Sequence, residues 1–362
     1  MELFRWKYCC CARSLARFCR LKTTRRYFVL LVFSGLLLSY RSLNLPSRFG
    51  KTYLAHFQQR DRVSQSADRF AEESSNVSRR FFERKEILVR RCREIKAKIG
   101  HKRANSTDRS MKRARLLYNI EHNLMVCVVA KAGATSWRRH MLSLLRIHGE
   151  IMPHAKHFGK LIEAKKVIGL RKMKELLEDP NTTWVVNTRH PLERLVSAYR
   201  DKFKGGKGVQ KETFSKYVGW VKKEKSENYN NSRISFYEFL KAVTLDKAKN
   251  GRTGMNLHFR PSSTICSPCN LPYDYVFHTE TFSQDMSYVA GKLRLEAVDP
   301  HLRMNDKSFR SHYPTYEKFY EAIPPPLLRK IYAIYEKDFA LFDYDLPSFL
   351  LEALHESDSA LH

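Results

Sequence analysis

Two uninterrupted apolar runs constrain this chain more than any other feature, because each ends in a turn that opens a helix. They are Asn123 to Ala130 (NLMVCVVA) and Thr183 to Thr188 (TWVVNT). A strand with one wet face alternates apolar and polar residues, whereas a strand covered on both faces reads as a continuous apolar run. Tyr273 to Phe277 (YDYVF) is a third segment of this kind. Around them the apolar period changes to that of a helix over Trp137 to Ile147, Leu161 to Leu177, Pro191 to Phe203 (Pro in the first turn), Phe236 to Ala242 and Leu327 to Phe342. Short buried strands alternating with helices predict the α/β class, with a central parallel sheet flanked by helices. The 22 Phe, 18 Tyr and 4 Trp supply a core and exclude disorder throughout. No internal period is present, so repeat architectures are excluded. A mean hydropathy of −0.50 excludes a multi-pass membrane protein.

The N-terminal region predicts a single membrane anchor. Tyr27 to Tyr40 (YFVLLVFSGLLLSY) carries no charge, and reading on to Pro46 reaches the roughly 20 residues a span needs. Arg41 would then snorkel to the interface. Ser39-Tyr40-Arg41-Ser42 is a poor cleavage site for a signal peptide, and no amphipathic face marks a core helix. Arg13, Arg17, Arg20, Lys22, Arg25 and Arg26 precede the run, against Arg41, Arg48 and Lys51 after it. The basic flank stays cytosolic, which predicts type II topology with a luminal body: cytosolic tail 1–26, signal anchor 27–46, luminal stem 47–80, main domain 81–352 and C-terminal tail 353–362. Cys9, Cys10, Cys11 and Cys19 then lie on the cytosolic side as free thiols or palmitoylation sites.

A luminal body has further signatures. Sequons for N-glycosylation occur at Asn76, Asn105, Asn181 and Asn230. Cys92, Cys127, Cys266 and Cys269 are even in number and suit two disulfides in an oxidising compartment. Cys266-Ser-Pro-Cys269 reads alternatively as half a zinc site, but no second pair of ligands at zinc spacing accompanies it. Residues 41–115 hold 21 Lys/Arg against 8 Asp/Glu. Their first part, 41–80, reads as a flexible stem, and Phe81 to Ile99 as a basic helix packing lightly on the body.

The two strand-to-helix turns carry the chemistry. In the first, Ala130-Lys131-Ala132-Gly133-Ala134-Thr135-Ser136-Trp137, small side chains let backbone N–H groups approach an anion at a helix N-terminus. Lys131 adds a full charge, and Thr135 and Ser136 add hydroxyls. The lysine precedes the loop, so this is not a Walker A sequence; a plain tight turn is the structural alternative. The second turn runs from Arg189 through His190, Pro191, Leu192, Glu193, Arg194, Leu195 and Val196 to Ser197. Arg189 stands at the carboxyl end of a strand, where open α/β sheets bind ligands. With Ser197 two turns further on, it can converge on one phosphate. Surface charge, or pairing with Glu193 and Asp201, is the alternative for Arg194 and Arg200.

Together the turns resemble the Golgi carbohydrate sulfotransferases that act on chondroitin, dermatan, the HNK-1 epitope and N-acetylgalactosamine (sulfotransferase family 2). RHPLERLVSAYRDKF (189–203) looks like that family's 3′-phosphate motif and AKAGATSW (130–137) like its 5′-phosphosulfate loop. Similarity continues at Asn256-Leu257-His258-Phe259, at Cys266 and Cys269 with Tyr273-Asp274, and at Tyr335 to Phe339. It covers roughly residues 85–350. Ala130, Ala134, Ser136 and Phe259 stand where the family usually has Pro, Cys, Asn and Trp.

The resemblance implies a P-loop-like sulfotransferase fold and the donor 3′-phosphoadenosine 5′-phosphosulfate (PAPS), with no metal. Residues 130–136 would hold the 5′-phosphosulfate, and the 189–197 segment the 3′-phosphate. Lys131 would stabilise the leaving oxygen. His258 is the candidate base, His157 the second choice, and each has a purely structural role as its alternative. His190 would orient the Arg189 turn. Beyond the tail, 58 basic residues face 36 acidic ones, which suits an anionic glycan or proteoglycan. Lys202, Lys204, Lys207, Lys222, Lys223 and Lys225 are candidate contacts. The expected acceptor is the 4-O position of N-acetylgalactosamine in chondroitin or dermatan, with HNK-1-type glucuronyl 3-O-sulfation or an inactive scaffold as alternatives. A nucleic-acid binder and a P-loop kinase fit less well, because of the anchor and the misplaced lysine.

Overall fold

The computed structural model describes residues 48–99, 106–149, 152–204, 212–224, 234–302, 304 and 315–359. The expected anchor, the cytosolic cysteines, Asn105 and Asn230 lie outside them. Among the described residues no helix is long and apolar enough to cross a membrane. The chain divides into two units, Met1–Ala71 and Glu72–His362. Of the first unit, the described part is helical backbone.

In chain order the helices are α1 (Arg48–Ile99), α2 (Ser106–Arg113), α3 (Ala134–Leu144), α4 (Lys156–Ile162), α5 (Ala164–Val167), α6 (Gly169–Glu175), α7 (Pro191–Lys202), α8 (Glu212–Glu224), α9 (Phe236–Gly254), α10 (Ser262–Cys266), α11 (Phe282–Leu293), α12 (Pro325–Leu341) and α13 (Ser348–Ser359). The strands are β1 (Leu116–Asn119), β2 (Leu124–Cys127), β3 (Thr183–Thr188) and β4 (Tyr275–His278), in sheet order 1-2-3-4. β2, β3 and β4 are parallel. β1 pairs antiparallel with β2, so the sheet is parallel except at this edge. The short hairpin behind that departure is turned by Asn119, whose Oδ1 accepts the His122 N–H, and by Asn123 at a φ of 47°.

The continuous apolar runs have the expected cause. Side chains alternate across the sheet and both faces are covered. Met125, Cys127, Trp184, Val186 and Val276 enter one core with Leu341 and Phe342. Leu124, Val126, Val185 and Phe277 enter the other with Trp137 and Phe282. A third core contains no strand residue and joins α7, α8, α9, α12 and α13 with loop residues such as Met255, Phe259 and Tyr320.

Three expectations are corrected. The segment Leu161 to Leu177 is not one helix. The backbone is extended at Glu163 (φ −79°, ψ 115°) and left-handed at Gly169 (φ 70°), which divides it among α4, α5 and α6. The stem is helical from Arg48 on, and the helix expected to pack lightly is embedded in the body. Val77, Phe81, Leu88 and Cys92 are buried. The Phe81 ring lies 5.0 Å from Tyr275 and 5.3 Å from Phe277. Arg84 reaches the Val276 carbonyl at 3.0 Å and Asp285 at 2.9 Å, and Arg80 reaches Asp285 at 2.7 Å. Charged residues on this stripe mask its periodicity because their partners are buried carboxylates and carbonyls elsewhere in the chain. Finally, the boundary at 353 falls inside α13, where Ala353 is buried and its carbonyl accepts from Arg329.

Two disulfides are formed, Cys92–Cys269 and Cys127–Cys266. The first ties α1 to the loop before β4, and the second ties β2 to α10. Each cysteine of the Cys266-x-x-Cys269 pair is bonded elsewhere, so the zinc alternative falls. Asn76 and Asn181 are exposed.

Candidate active site

β2 and β3 are parallel neighbours, so the turns that leave their carboxyl ends lie side by side. The first turn bends through left-handed backbone at Lys131 (φ 69°) and Gly133 (φ 73°). A Cβ on Gly133 would stand 2.7 Å from Asn187 Nδ2, which packs against the loop from β3 and donates to the Ala132 carbonyl. Only glycine fits a left-handed site this close to a neighbour. Gly133 is the N-cap of α3 and offers no capping side chain. The first-turn N–H groups of α3 therefore face the loop without a side-chain cap, an arrangement that suits an anion. Thr135 Oγ1 lies 2.9 Å from His154 Nε2. Ser136 is buried, and its Oγ accepts the Met304 N–H at 2.9 Å.

The second turn is built from side chains. His190 is the N-cap of α7 and Pro191 its first residue. The His190 N–H donates to Glu280 Oε1 at 2.9 Å, so a carboxylate already occupies this helix start. The His190 ring packs against Tyr316, Phe339 and Tyr344. Arg189 pairs with Glu193 at 2.6 Å and donates to the Lys131 carbonyl at 3.4 Å, while its Nε is buried with no partner. Burial pushes the Glu193 carboxyl up, but the Arg189 guanidinium brings it below the usual carboxylate range. Burial raises Glu280. Residues 189, 193, 197 and 201 recur at four-residue spacing, so Glu193, Ser197 and Asp201 share one stripe of α7. Arg189 enters that stripe from the strand end.

Lys131 closes the gap between the turns. Its Nζ pairs with Asp201 at 3.1 Å, and Lys202 pairs with the same carboxylate at 2.9 Å. Burial lowers the Lys131 pKa, and the nearby Lys202 and Arg189 charges push the same way against Asp201. Arg194 is the pin of the assembly. It is 1% exposed and donates to the carbonyls of Ala130 (2.8 Å), Arg260 (2.7 Å) and Leu257 (3.2 Å). One guanidinium thus holds the first turn, the second turn and the segment bearing His258.

The His258 ring sits between charge and aromatic surface. Nδ1 lies 2.9 Å from Asn256 Oδ1, which also accepts the His258 N–H at 3.0 Å. That oxygen fixes the proton on Nδ1 and leaves Nε2 as the basic nitrogen. Burial, then the Lys202 and Lys131 cations, lower the pKa to about 4. The ring meets Phe214 of α8 edge-on at 5.4 Å. His157, by contrast, is exposed on α4 with its ring against Phe158.

The structure therefore sorts the expected site residues. It brings together Ala130, Lys131, Ala132, Gly133, Ala134, Thr135, Arg189, Glu193, Arg194 and His258. Ser197 is half-buried on the stripe between Glu193 and Asp201. Leu192, Leu195 and Val196 belong to the helical core, so their side chains position α7 and are not offered to a ligand. Arg194 is not a surface charge, because three carbonyls consume it. Its expected acidic partners are used differently: Glu193 holds Arg189 and Asp201 holds Lys131. The Arg200 guanidinium lies 4.8 Å over the Phe319 ring. Sequence reasoning missed His154, Asn187 and Glu280, and it named Asn256 and Asp201 without giving them a place in the site. The four-residue spacing from Arg189 was legible and marks Asp201; the others are brought in by the fold.

The comparisons agree with the geometry. A family model described as "Sulfotransferase family" matches residues 114–345. Carbohydrate sulfotransferase 11 of Rattus norvegicus is 28% identical over 279 residues, 74% of this chain and 76% of the relative. Carbohydrate sulfotransferase 9 of Homo sapiens is 28% identical over 251 residues, 65% of this chain and 54% of the relative. Carbohydrate sulfotransferase 14 of Danio rerio is 25% identical over 240 residues, 64% of this chain and 63% of the relative. No solved structure matches the chain.

Proposed function

Because the chain belongs to the sulfotransferase family, we propose that it moves a sulfuryl group from PAPS to a sugar hydroxyl of an anionic glycan. The specific acceptor in this reading is the 4-O position of N-acetylgalactosamine in chondroitin or dermatan. The observation that carries the proposal is the convergence of Lys131, Arg189 and the imidazole of His258 through the single guanidinium of Arg194. Formed disulfides and the exposed sequons at Asn76 and Asn181 support a luminal catalytic domain, and with it the Golgi type II arrangement.

The residues present fit a donor with two anionic ends. Gly133 leaves the first turn open to close approach, and the start of α3 has no side-chain cap. Arg189 Nε is buried without a partner at the second turn. When bound, PAPS supplies an electrophilic sulfur and a phosphate leaving group. Lys131 and the first-turn amides of α3 would neutralise charge that develops on the leaving oxygen. Arg189 and Ser197 would hold the 3′-phosphate, with Glu193 orienting the guanidinium. His258 Nε2 would take the proton of the attacking hydroxyl as the new sulfur–oxygen bond forms and the old one breaks. Its lowered pKa keeps the imidazole neutral, with the Nε2 lone pair free, and also makes it a weaker base. Asn256 holds the tautomer.

The test is transfer from labelled PAPS to a panel of desulfated chondroitin, dermatan and HNK-1-type acceptors, with disaccharide analysis of the product. Label on N-acetylgalactosamine O4 is the expected result. If no acceptor is labelled and Arg189→Ala leaves adenosine 3′,5′-bisphosphate binding unchanged, the enzyme reading fails.

A further inference from the structure

α8 begins at the candidate base and runs away from it. Phe214 in its first turn touches the His258 ring at 5.4 Å. Six residues on, roughly 9 Å along a helix axis, stands Trp220, half-buried on α8. Two cations flank this one indole. Lys216, one turn before it on the same face, places Nζ 5.6 Å from the ring centroid, and Lys249 of α9 places Nζ 5.4 Å from it. Both lysines are exposed. Neither pairs with a carboxylate among the described residues, although Lys131, Lys166, Lys172, Lys174 and Lys202 all do. Two ammonium groups beside one indole offer a single anionic chain two points of contact. An indole beside cations also suits a sugar ring, whose apolar face can stack while its carboxylate or sulfate meets the ammonium groups.

Building on the sulfotransfer reading, we propose that Lys216, Trp220 and Lys249 form a subsite for a linear anionic glycan. It engages chain units beyond the sugar whose hydroxyl meets His258. The enzyme then prefers a polymer to a disaccharide acceptor, because a disaccharide with its acceptor sugar at His258 ends short of Trp220. The three residues lie on α8 and α9, outside the two turns at β2 and β3.

The experiment compares the wild-type protein with K216A/K249A and K216R/K249R. Binding to desulfated chondroitin polymer is measured by Trp fluorescence across a salt series, and sulfate transfer is measured on the polymer and on a chondroitin disaccharide. Two exposed charge contacts predict that K216A/K249A weakens polymer binding about tenfold and flattens its salt dependence, with K216R/K249R close to wild type. KM for the polymer rises by a similar factor, while kcat and the KM values for the disaccharide and for PAPS hold. Equal effects on both acceptors, or none on polymer binding, overturn the subsite. So does loss of binding to phosphatidylserine vesicles or single-stranded DNA with chondroitin binding intact. Binding needs no turnover, so it decides the subsite even if no acceptor is labelled, an outcome that would count against the sulfotransfer reading instead. Matching thermal unfolding midpoints exclude a folding defect.

Discussion

The two turns that leave β2 and β3 look alike in sequence, since each is a buried strand running into a helix, yet they are built differently. The first is made of backbone: left-handed residues at 131 and 133, no side-chain cap, and a glycine with no room for a methyl group. The second has ordinary backbone and a proline-led helix, with the Glu280 carboxylate already bonded at its start. Main-chain amides are therefore available to an anion at the first turn and less so at the second, where Arg189 and Ser197 must do the binding as side chains. The contrast fits the two ends of the proposed donor. The reacting end meets fixed dipoles that need no rearrangement, and the distal end meets side chains that select it.

The largest expected effect comes from breaking the link between the turns. Arg194→Ala removes the donor to three carbonyls in a buried site. Leaving those groups unpaired is expected to cost about 3–5 kcal/mol. Urea unfolding should show the loss as a lower midpoint, and Lys cannot rescue it because three diverging carbonyls need a planar fork. A near-wild-type midpoint would mean the turns are held by the sheet alone.

Next, Lys131→Ala and Arg189→Ala should separate kinetically. Removing a preorganised charge at a leaving group costs roughly 10²–10³ in kcat, whereas loss of Arg189 should act mainly on donor KM. Equal effects on kcat would erase the functional distinction between the turns. Lys131→Ala carries a second signature. Burial and then the Lys202 and Lys131 charges lower the pKa of His258 to about 4, so the neutral base persists well below its ordinary range. Without Lys131 the His258 pKa rises toward its ordinary value, and the acid limb of the pH–rate profile moves to higher pH.

Gly133→Ala tests whether the first turn depends on its backbone. A Cβ there meets Asn187 Nδ2 at 2.7 Å and φ is 73°, so strain of about 1–3 kcal/mol is expected. It should weaken binding of adenosine 3′,5′-bisphosphate as well as stability, read by calorimetry and by thermal unfolding. A silent substitution would show that the loop is free to rearrange.

Legibility followed the same division. β3 could be bounded to the residue, and α7 and α12 to within two residues, because apolar continuity and a leading proline are local signals. The cradle at 130–136 was legible as small residues beside a lysine. The supports of the site were not, since Asn187 and Arg194 act on main-chain atoms about 55 and 64 residues away. A side chain that donates to distant carbonyls leaves no pattern of spacing. Arg194 therefore read as a member of the phosphate motif, with surface charge as its alternative, and Phe81 to Ile99 read as lightly packed because Arg84 finds its partner at Asp285. Asp201 is the instructive case: the sequence offered it as an ion partner for a neighbouring arginine, but its use as the counter-ion of Lys131 depends on where β2 ends.

Ser197→Ala is the mildest way to sharpen the comparison. The hydroxyl lies on the stripe that also carries Glu193 and Asp201, and in the proposed complex it donates one neutral hydrogen bond to the 3′-phosphate. One such bond to a charged group is worth about 1.5–3 kcal/mol before the exposed site and competing water reduce it. A three- to tenfold weaker affinity for adenosine 3′,5′-bisphosphate is expected, with affinity for the 5′-phosphate alone unchanged. The variant should unfold at the wild-type temperature, because the side chain is half-buried and cutting it back to a methyl leaves little empty space. If the 5′-monophosphate weakens equally, Ser197 faces the first turn, and the assignment of one phosphate to each turn is wrong.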